Sequence, residues 1–445
     1  LMEALESERD IDIDVFPLDG VDPARMKHKE NGNRADNLFY QMRQDGNGKW
    51  LFICHVNKPR NEAIAWNERW DIKIKGEYQA VCYDTMTGEI FPVKAEHVNG
   101  NTVVHHVASF HDSLLLKLIP VEDGVKAEEE FKIPQNQKNL PQPCSYKLEE
   151  RNSLLLDLAE YAFDDGKWQQ REELLRIDNL FREKLHYPLR MEALAQPWTE
   201  KEEETLSHAL KLRFTIPSEI EMDEVELAME HPEVNEIFWN EEPVKYEDSG
   251  FYVDESIRTC KLKNLHKGEN ILVVKIPFGR KTNVEWMYLL GAFGTKTAGQ
   301  YGIITALPEK LYFGDITRQN LAFYGGNLEY TSKLHTEAGI LNLEVSHYGG
   351  ALLEIFLDGE NKGALFMAPY RINLGKVDEG LHEITIKVYG NRSNTFGVVH
   401  NADRTEAWYG PNLWRTEGNK WSYEYQLEQM GILTTPVYWV EKEID

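Results

Sequence analysis

The segment 400–423 interleaves large aromatic rings with amide, imidazole and guanidinium groups. It contains His400-Asn401, Trp408-Tyr409-Gly410-Pro411, Trp414-Arg415 and Trp421-Ser422-Tyr423. A sugar presents a flat C–H face and a rim of hydroxyls, so its site needs an aromatic platform beside planar hydrogen-bonding groups. The candidate substrate-binding residues are therefore Trp408, Tyr409, Trp414, Trp421, His400 and Asn401, joined by Trp286 upstream. The competing reading is that these rings close the last sandwich, because large aromatics dominate cores as well.

Acid–base chemistry is harder to localise. The chain holds 74 Asp and Glu residues, so carboxylate pairs arise from abundance alone. Glycoside hydrolysis needs two carboxyls about 5–10 Å apart across a cleft, and sequence spacing on sandwich loops does not report that distance. Glu285, in Asn283-Val284-Glu285-Trp286, is the sharpest single candidate, since it sits beside an aromatic after a Gly-containing turn. A solvated strand residue would read the same way. His105-His106 and His111 suggest a metal, but neighbours along a strand point to opposite faces, so no metal site is expected from them. Calcium held by loop carbonyls would leave no readable motif. There is no GxSxG and no Walker loop, and Gly291-Ala292-Phe293-Gly294 lacks the helix that a phosphate loop needs. No cofactor is implied, and no catalytic residue is assigned.

The elements that would position these groups read as β-strands, and one pattern occurs twice. Phe238-Trp239-Asn240-Glu241 is followed by a loop and then by Gly268-Glu269-Asn270-Ile271-Leu272-Val273-Val274-Lys275. Phe356-Leu357-Asp358-Gly359 is followed by a loop and then by Gly380-Leu381-His382-Glu383-Ile384-Thr385-Ile386-Lys387-Val388. Each copy is a strand closing on an Asn/Asp turn, a loop, and a Gly-led turn into an alternating strand. Another alternating strand precedes each, Leu210-Lys211-Leu212-Arg213-Phe214 and Leu328-Glu329-Tyr330. Two jelly-roll sandwiches of one type are expected, at 201–322 and 323–445, the second carrying the Trp-rich segment.

Residues 1–121 read as a further sandwich. Asp45-Gly46-Asn47-Gly48 joins strands over 38–43 and 49–54 as a hairpin. Short strands continue over 70–75, 78–84, 89–93, 102–108 and 113–119. Residues 122–200 read as a linker containing a strand over 153–162 and one amphipathic helix over 168–185, with Leu174, Ile177, Phe181 and Leu185 on its apolar face. The fold class is all-β: tandem antiparallel sandwiches with one bridging helix.

At 445 residues the expectation is about three domains. Apolar residues make up 42% of the chain, enough to bury a core. A net charge of −25, spread along the chain, makes nucleic acid a poor partner, because phosphate contacts need clustered Lys and Arg. A neutral sugar is not disfavoured. No apolar run of about 18 residues exists, so no membrane-spanning helix is expected. The four widely spaced cysteines favour a reducing cytoplasm over a disulfide framework. The Leu1 start suggests a fragment or a processed product.

Leu265-His266-Lys267-Gly268-Glu269-Asn270, following Phe238-Trp239-Asn240, resembles the sugar-binding jelly-roll module of family 2 glycoside hydrolases. In that module a strand ends in Asn-Gly, and a Leu-x-x-Gly-x-Asn leads the next. Asn240-Glu241 departs from the usual Asn-Gly, and the second copy matches more loosely. Tyr83-Asp84-Thr85-Met86-Thr87-Gly88-Glu89 resembles the sandwich that follows the catalytic barrel in rhamnosidase-like and β-galactosidase-like enzymes. The resemblance implies an accessory, carbohydrate-associated portion of a glycoside hydrolase. Its partner would be a catalytic (β/α)₈ barrel in the same or another polypeptide, since no eightfold strand–helix alternation is present here. Two rival classes are a free-standing lectin-like protein and a structural or homo-oligomerisation module.

Overall fold

The computed structural model describes residues 9–19, 33–34, 37–57, 67–85, 87–109, 112–121, 134, 136–190, 206–368, 370–403, 405 and 410–442. They are mostly β, in antiparallel sheets that form sandwiches with few helices. Two compact units result. The first draws on residues 1–142, 331–387 and 432–445, the second on 143–330 and 388–431. No described helix is long and apolar enough to cross a membrane.

The first unit opens with two five-stranded sheets. One runs Asn33–Arg34, Ile11–Asp19, Asn67–Lys75, Asn101–Ser109, Ala95–Val98. The other runs Leu38–Asp45, Gly48–His55, Ser113–Pro120, Tyr78–Tyr83, Ile90–Val93. Alternation fills the space between them with Leu51, Ile53, Trp70, Ile72, Leu114, Leu116 and Leu118, as a period of two demands. The strand Ile11–Asp19 was not anticipated from sequence. It alternates Asp with Ile and Val, and only its inward residues are buried.

The outer face of the second of these sheets is unusual. Register places Phe39 beside Cys54, Gln41 beside Phe52, Phe52 beside Leu115, and Tyr83 beside Ile90. Phe39 is 68% exposed and Ile90 59%, with Phe52 and Ile119 also exposed. An antiparallel sheet normally turns a polar face outward. This one presents aromatic and aliphatic side chains across its strands.

The duplicated pattern folds into duplicated structure. In the second unit the strands lie in the order His208–Ser218, Gly268–Phe278, Glu236–Trp239, Glu242–Val244. The later copy orders Leu328–Thr336, Gly380–Val388, Leu353–Leu357, Glu360–Leu365 in the same way. Both hairpin turns hold two left-handed residues, Asn240 (φ 49°) with Glu241 (φ 70°) and Asp358 (φ 50°) with Gly359 (φ 83°). Such turns match the right-handed twist of the strands they join. In each, the turn's side-chain oxygen accepts the amide of the neighbouring strand, Ile271 N–H to Asn240 Oδ1 at 2.8 Å and Glu383 N–H to Asp358 Oδ1 at 2.8 Å.

Glu241 therefore occupies a position that suits glycine, because a Cβ in the left-handed region costs about 1–2 kcal/mol. Glu241→Gly gives back part of that gain through greater freedom of the unfolded chain. A net stabilisation of about 0.5–1 kcal/mol is expected in urea denaturation. A destabilised variant would mean that the Glu241 side chain holds the turn in some other way.

The segment 152–163 is two strands, not one. Asn152–Leu156 pairs with Met287–Gly291 in one sheet, and Leu158–Phe163 pairs with His208–Ser218 in the other. The chain changes sheet at Asp157. The helix begins later than the periodicity predicts. Gln169–Glu173 is an edge strand on Leu158–Phe163, and the helix is Leu174–Lys184. Good helix formers at 169–173 are overridden by strand pairing and by Glu173, whose carboxylate accepts Leu175 N–H at 3.0 Å and Arg176 N–H at 3.1 Å as the helix cap. Leu174, Ile177 and Phe181 are fully buried, and Phe181 stacks on Phe163 with ring centres 4.3 Å apart.

Candidate functional site

A cavity of about 650 Å³ opens in the second unit where the strand Met222–Glu230 ends. Its lining includes Glu230, Arg190, Lys281, Asn283, Glu285 and Arg415. Three features fix its wall. His231 turns the chain with φ 49°, directly after the strand. Asp178, fully buried on the helix, accepts Arg182 Nε–H at 2.9 Å and ion-pairs with Arg190, whose Nε lies 3.2 Å away. Both guanidiniums then donate to the Thr282 carbonyl, at 2.7 and 2.9 Å, while Thr282 Oγ1 donates to Pro277 O at 3.1 Å. The loop carrying Asn283 and Glu285 is thus held in one shape before any ligand arrives.

Glu285 lies just before the strand Met287–Gly291, not within a strand. Its side chain faces the cavity and solvent reaches it, yet protein crowds most of its surroundings. That crowding pushes its carboxyl up to about 7, and the charge of Glu230 adds to the effect. Asn283, Arg190 and Arg415 oppose it without prevailing. The Asn283 amide donates to Glu230 Oε2 at 3.0 Å and hydrogen-bonds Glu285 as well. A carboxyl that titrates near neutrality inside a polar cavity can donate as well as accept a proton there.

The aromatic candidates lie elsewhere. Trp286 is buried, and its Nε1–H donates to Glu173 Oε1 at 2.7 Å. His400 is buried between Asp157 Oδ2 and the Ser422 carbonyl, each 2.7 Å from a ring nitrogen. Tyr425 donates its hydroxyl to the other Asp157 oxygen at 2.8 Å. Asn401 is buried and closes a turn with Asp403. Trp421, half-buried, sits 4.8 Å from the His400 ring and beneath the Arg176 guanidinium at 3.8 Å. Trp286, His400 and Trp421 therefore meet in one interior network around Asp157 and Glu173. Trp414 lines a separate cavity of about 570 Å³ with Phe396, Arg392 and Gln426. Trp408 and Tyr409 lie outside the described residues.

Burial pushes the Glu173 carboxyl up to about 7, against its donors Trp286, Leu175 N–H and Arg176 N–H, and Asp157 adds to the rise. Burial disfavours a charged His400, but Asp157, the Ser422 carbonyl and Glu173 outweigh it and hold the ring above its usual pKa. Since a carbonyl only accepts, Nδ1 donates to Ser422, and the ring presents its second N–H to Asp157.

In the first unit His105 faces outward to Asp71 at 2.6 Å, while His106 is buried. His111 lies outside the described residues. Among the described residues no three His, Cys, Asp or Glu side chains gather as metal ligands.

Sequence reasoning singled out Glu285 from its neighbour Trp286. It missed Glu230 and Arg190, and it grouped Arg415 with the aromatic segment rather than with Glu285; the three reach the cavity from separate elements. The signal available for Asp157 was a lone charge within Leu154-Leu155-Leu156-Asp157-Leu158-Ala159, a run that is otherwise core.

No family model and no curated protein matches the chain. Among solved structures it is similar to a rhamnosidase from Novosphingobium sp. PP1Y, at 11% identity and a TM-score of 0.40, covering 98% of this chain and 26% of that one. An α-L-rhamnosidase from Streptomyces avermitilis aligns at 10% identity and a TM-score of 0.24, over 90% of this chain and 39% of that one. A GH2 β-galacturonidase from Eisenbergiella tayi aligns at 9% identity and a TM-score of 0.21, over 54% and 36%. The likeness, at low sequence identity, is to β-sandwich portions of these enzymes. The chain spans about a quarter of the length of the first of them.

Proposed function

We propose that this chain is an accessory, carbohydrate-associated portion of a glycoside hydrolase whose catalytic barrel lies outside residues 1–445. The observation that carries this reading is the apolar outer sheet face of the first sandwich, with Phe39, Phe52, Ile90 and Ile119 open among the described residues. Contiguous exposed apolar surface marks a site of association. The occupant we assign is the barrel, because the segment resembling a barrel-following sandwich, 83–89, is the turn between two strands of this same sheet, Tyr78–Tyr83 and Ile90–Val93. The duplicated Asn/Asp turn, which carries the family 2 resemblance, supports the carbohydrate side of the reading.

The test is the native mass of the protein, followed by cross-linking. A polypeptide or complex that contains a (β/α)₈ barrel and hydrolyses aryl glycosides is expected, with cross-links that map to this sheet. Phe39→Ser together with Ile90→Ser should weaken the association while leaving stability within about 0.5 kcal/mol, since both side chains are exposed. A lone species of 51.6 kDa that binds glycans by itself would overturn the reading in favour of a lectin.

A further inference from the structure

We infer that the cavity lined by Glu285 binds a carboxylate-bearing sugar, with the Arg415 guanidinium taking the carboxylate and Asn283, Glu230 and Glu285 taking hydroxyls. This deepens the carbohydrate side of the proposed function and rests on it. Arg415 stands at the end of the short turn Pro411–Arg415, half-buried and facing the cavity. It makes no hydrogen bond or ion pair among the described residues, and its Nε is fully shielded from solvent without an acceptor. Arg415 thus lines the cavity without an acceptor among the described residues, and a planar carboxylate is the group that best matches a guanidinium.

The remaining groups narrow the ligand. Glu230 and Glu285 would repel a plain anion such as phosphate, which has few protons to offer them. A sugar acid supplies each kind of partner, O–H donors for Glu230, hydroxyl acceptors for a protonated Glu285, and a carboxylate for Arg415. A cationic sugar would meet Arg190, Lys281 and Arg415 together. The cavity volume falls in the ~300–1,000 Å³ range of small-molecule sites. Its loop is already pinned through Thr282, so binding orders little.

Glu285 adds a proton-linked signature. The groups facing it are Glu230 and His231 at the end of Met222–Glu230, Lys281 and Asn283 on its own loop, Arg190 beyond the helix, and Arg415. Free, its carboxyl titrates at about 7. A bound carboxylate raises that value further, so binding takes up a proton and weakens as pH rises. The limit is about a tenfold loss between pH 6 and pH 8 for one coupled proton.

The experiment is titration calorimetry of the full chain with D-glucuronate, D-glucose and D-glucosamine at pH 6 and pH 8. Glucuronate should bind at least tenfold tighter than either of the others at pH 6. Arg415→Gln should remove that preference, and Glu285→Gln should flatten the pH dependence of the binding that remains. Circular dichroism of each variant checks that it is folded. Equal binding of glucose and glucuronate, a preference for glucosamine, or no binding of any of the three overturns the assignment of this cavity. The accessory reading is judged separately, by native mass, and survives or fails on that result.

Discussion

Asp157→Ala will destabilise the second unit by about 3–5 kcal/mol, the range seen when one member of a buried ion pair is removed. Asp157 is fully buried at the point where the chain leaves one sheet for the other. Its two oxygens serve different donors, His400 Nε2 at 2.7 Å and the Tyr425 hydroxyl at 2.8 Å. Truncation removes the charge that holds the His400 ring protonated against burial, and leaves the part-buried Tyr425 hydroxyl without its acceptor. The fully buried Glu173 lies close enough to feel Asp157, so a second carboxyl is perturbed as well. The pH dependence follows from His400. Its folded pKa is raised above 6.5, so the stability it contributes is fully present below 6.5 and is lost as pH rises through the raised value. The gap between wild type and variant should therefore be widest near pH 5.5 and narrower at pH 8.5. Urea unfolding at these two pH values measures it. A loss under about 1 kcal/mol at both would mean that the network does not hold the sheet corner.

That network also explains why the fold was more legible in the sequence than the site. The hairpin through Asp45-Gly46-Asn47-Gly48 and the duplicated turns could be read because each depends on a few adjacent residues with special backbone needs. The apolar alternation of Leu210 to Phe214 and Leu272 to Val274 reports burial on one face, and local pattern suffices for that. A ring such as Trp286 or His400 carries no comparable label. An indole N–H beside an amide or carboxylate is what a sugar platform needs, and it is equally what an interior network needs. Only the surroundings separate the two, and they come from Asp157 and Glu173, far away in sequence. The cavity at Glu285 is assembled in the same non-local way. Glu230 ends a strand, Arg190 follows a helix, and Arg415 closes a distant turn. The start of the helix was misplaced for a related reason, since Gln169 to Glu173 favour helix locally but pair at a sheet edge.

The duplicated turn allows a paired prediction, because its two copies solve one problem with different chemistry. Asn270 is fully buried. Its Nδ2 donates to His266 O at 2.7 Å, and its Oδ1 accepts His266 N–H at 2.9 Å and Asn240 Nδ2 at 3.0 Å. In the second copy His382 takes the same station. One ring nitrogen lies 2.7 Å from Asp358 Oδ2 and the other 3.0 Å from Asp378 O, four residues back just as His266 is. Asn270→Ala removes three hydrogen bonds and leaves the part-buried backbone groups of His266 without their partner, so a loss of about 1–3 kcal/mol is expected, independent of pH between 5 and 9. His382→Ala should cost less, because Asp358 is half exposed and solvent screens the pair. Its cost should also vary with pH. The Asp358 hydrogen bond, opposed by partial burial and aided by the Asp378 carbonyl, raises the His382 pKa above 6.5. Partial burial would raise Asp358, but the Glu383 N–H and His382 prevail and hold it below 3.8. The pair is therefore at full strength between about pH 3.8 and 6.5. It weakens above that window as His382 loses its proton, and below it as Asp358 gains one. Hydrogen exchange of the Ile271 and Glu383 amides reads each turn on its own. Exchange at Glu383 that quickens with pH beyond the intrinsic rate, beside flat protection at Ile271, is the expected pair of results. Identical pH behaviour at the two amides would show that the second turn is held without the His382–Asp358 charge pair.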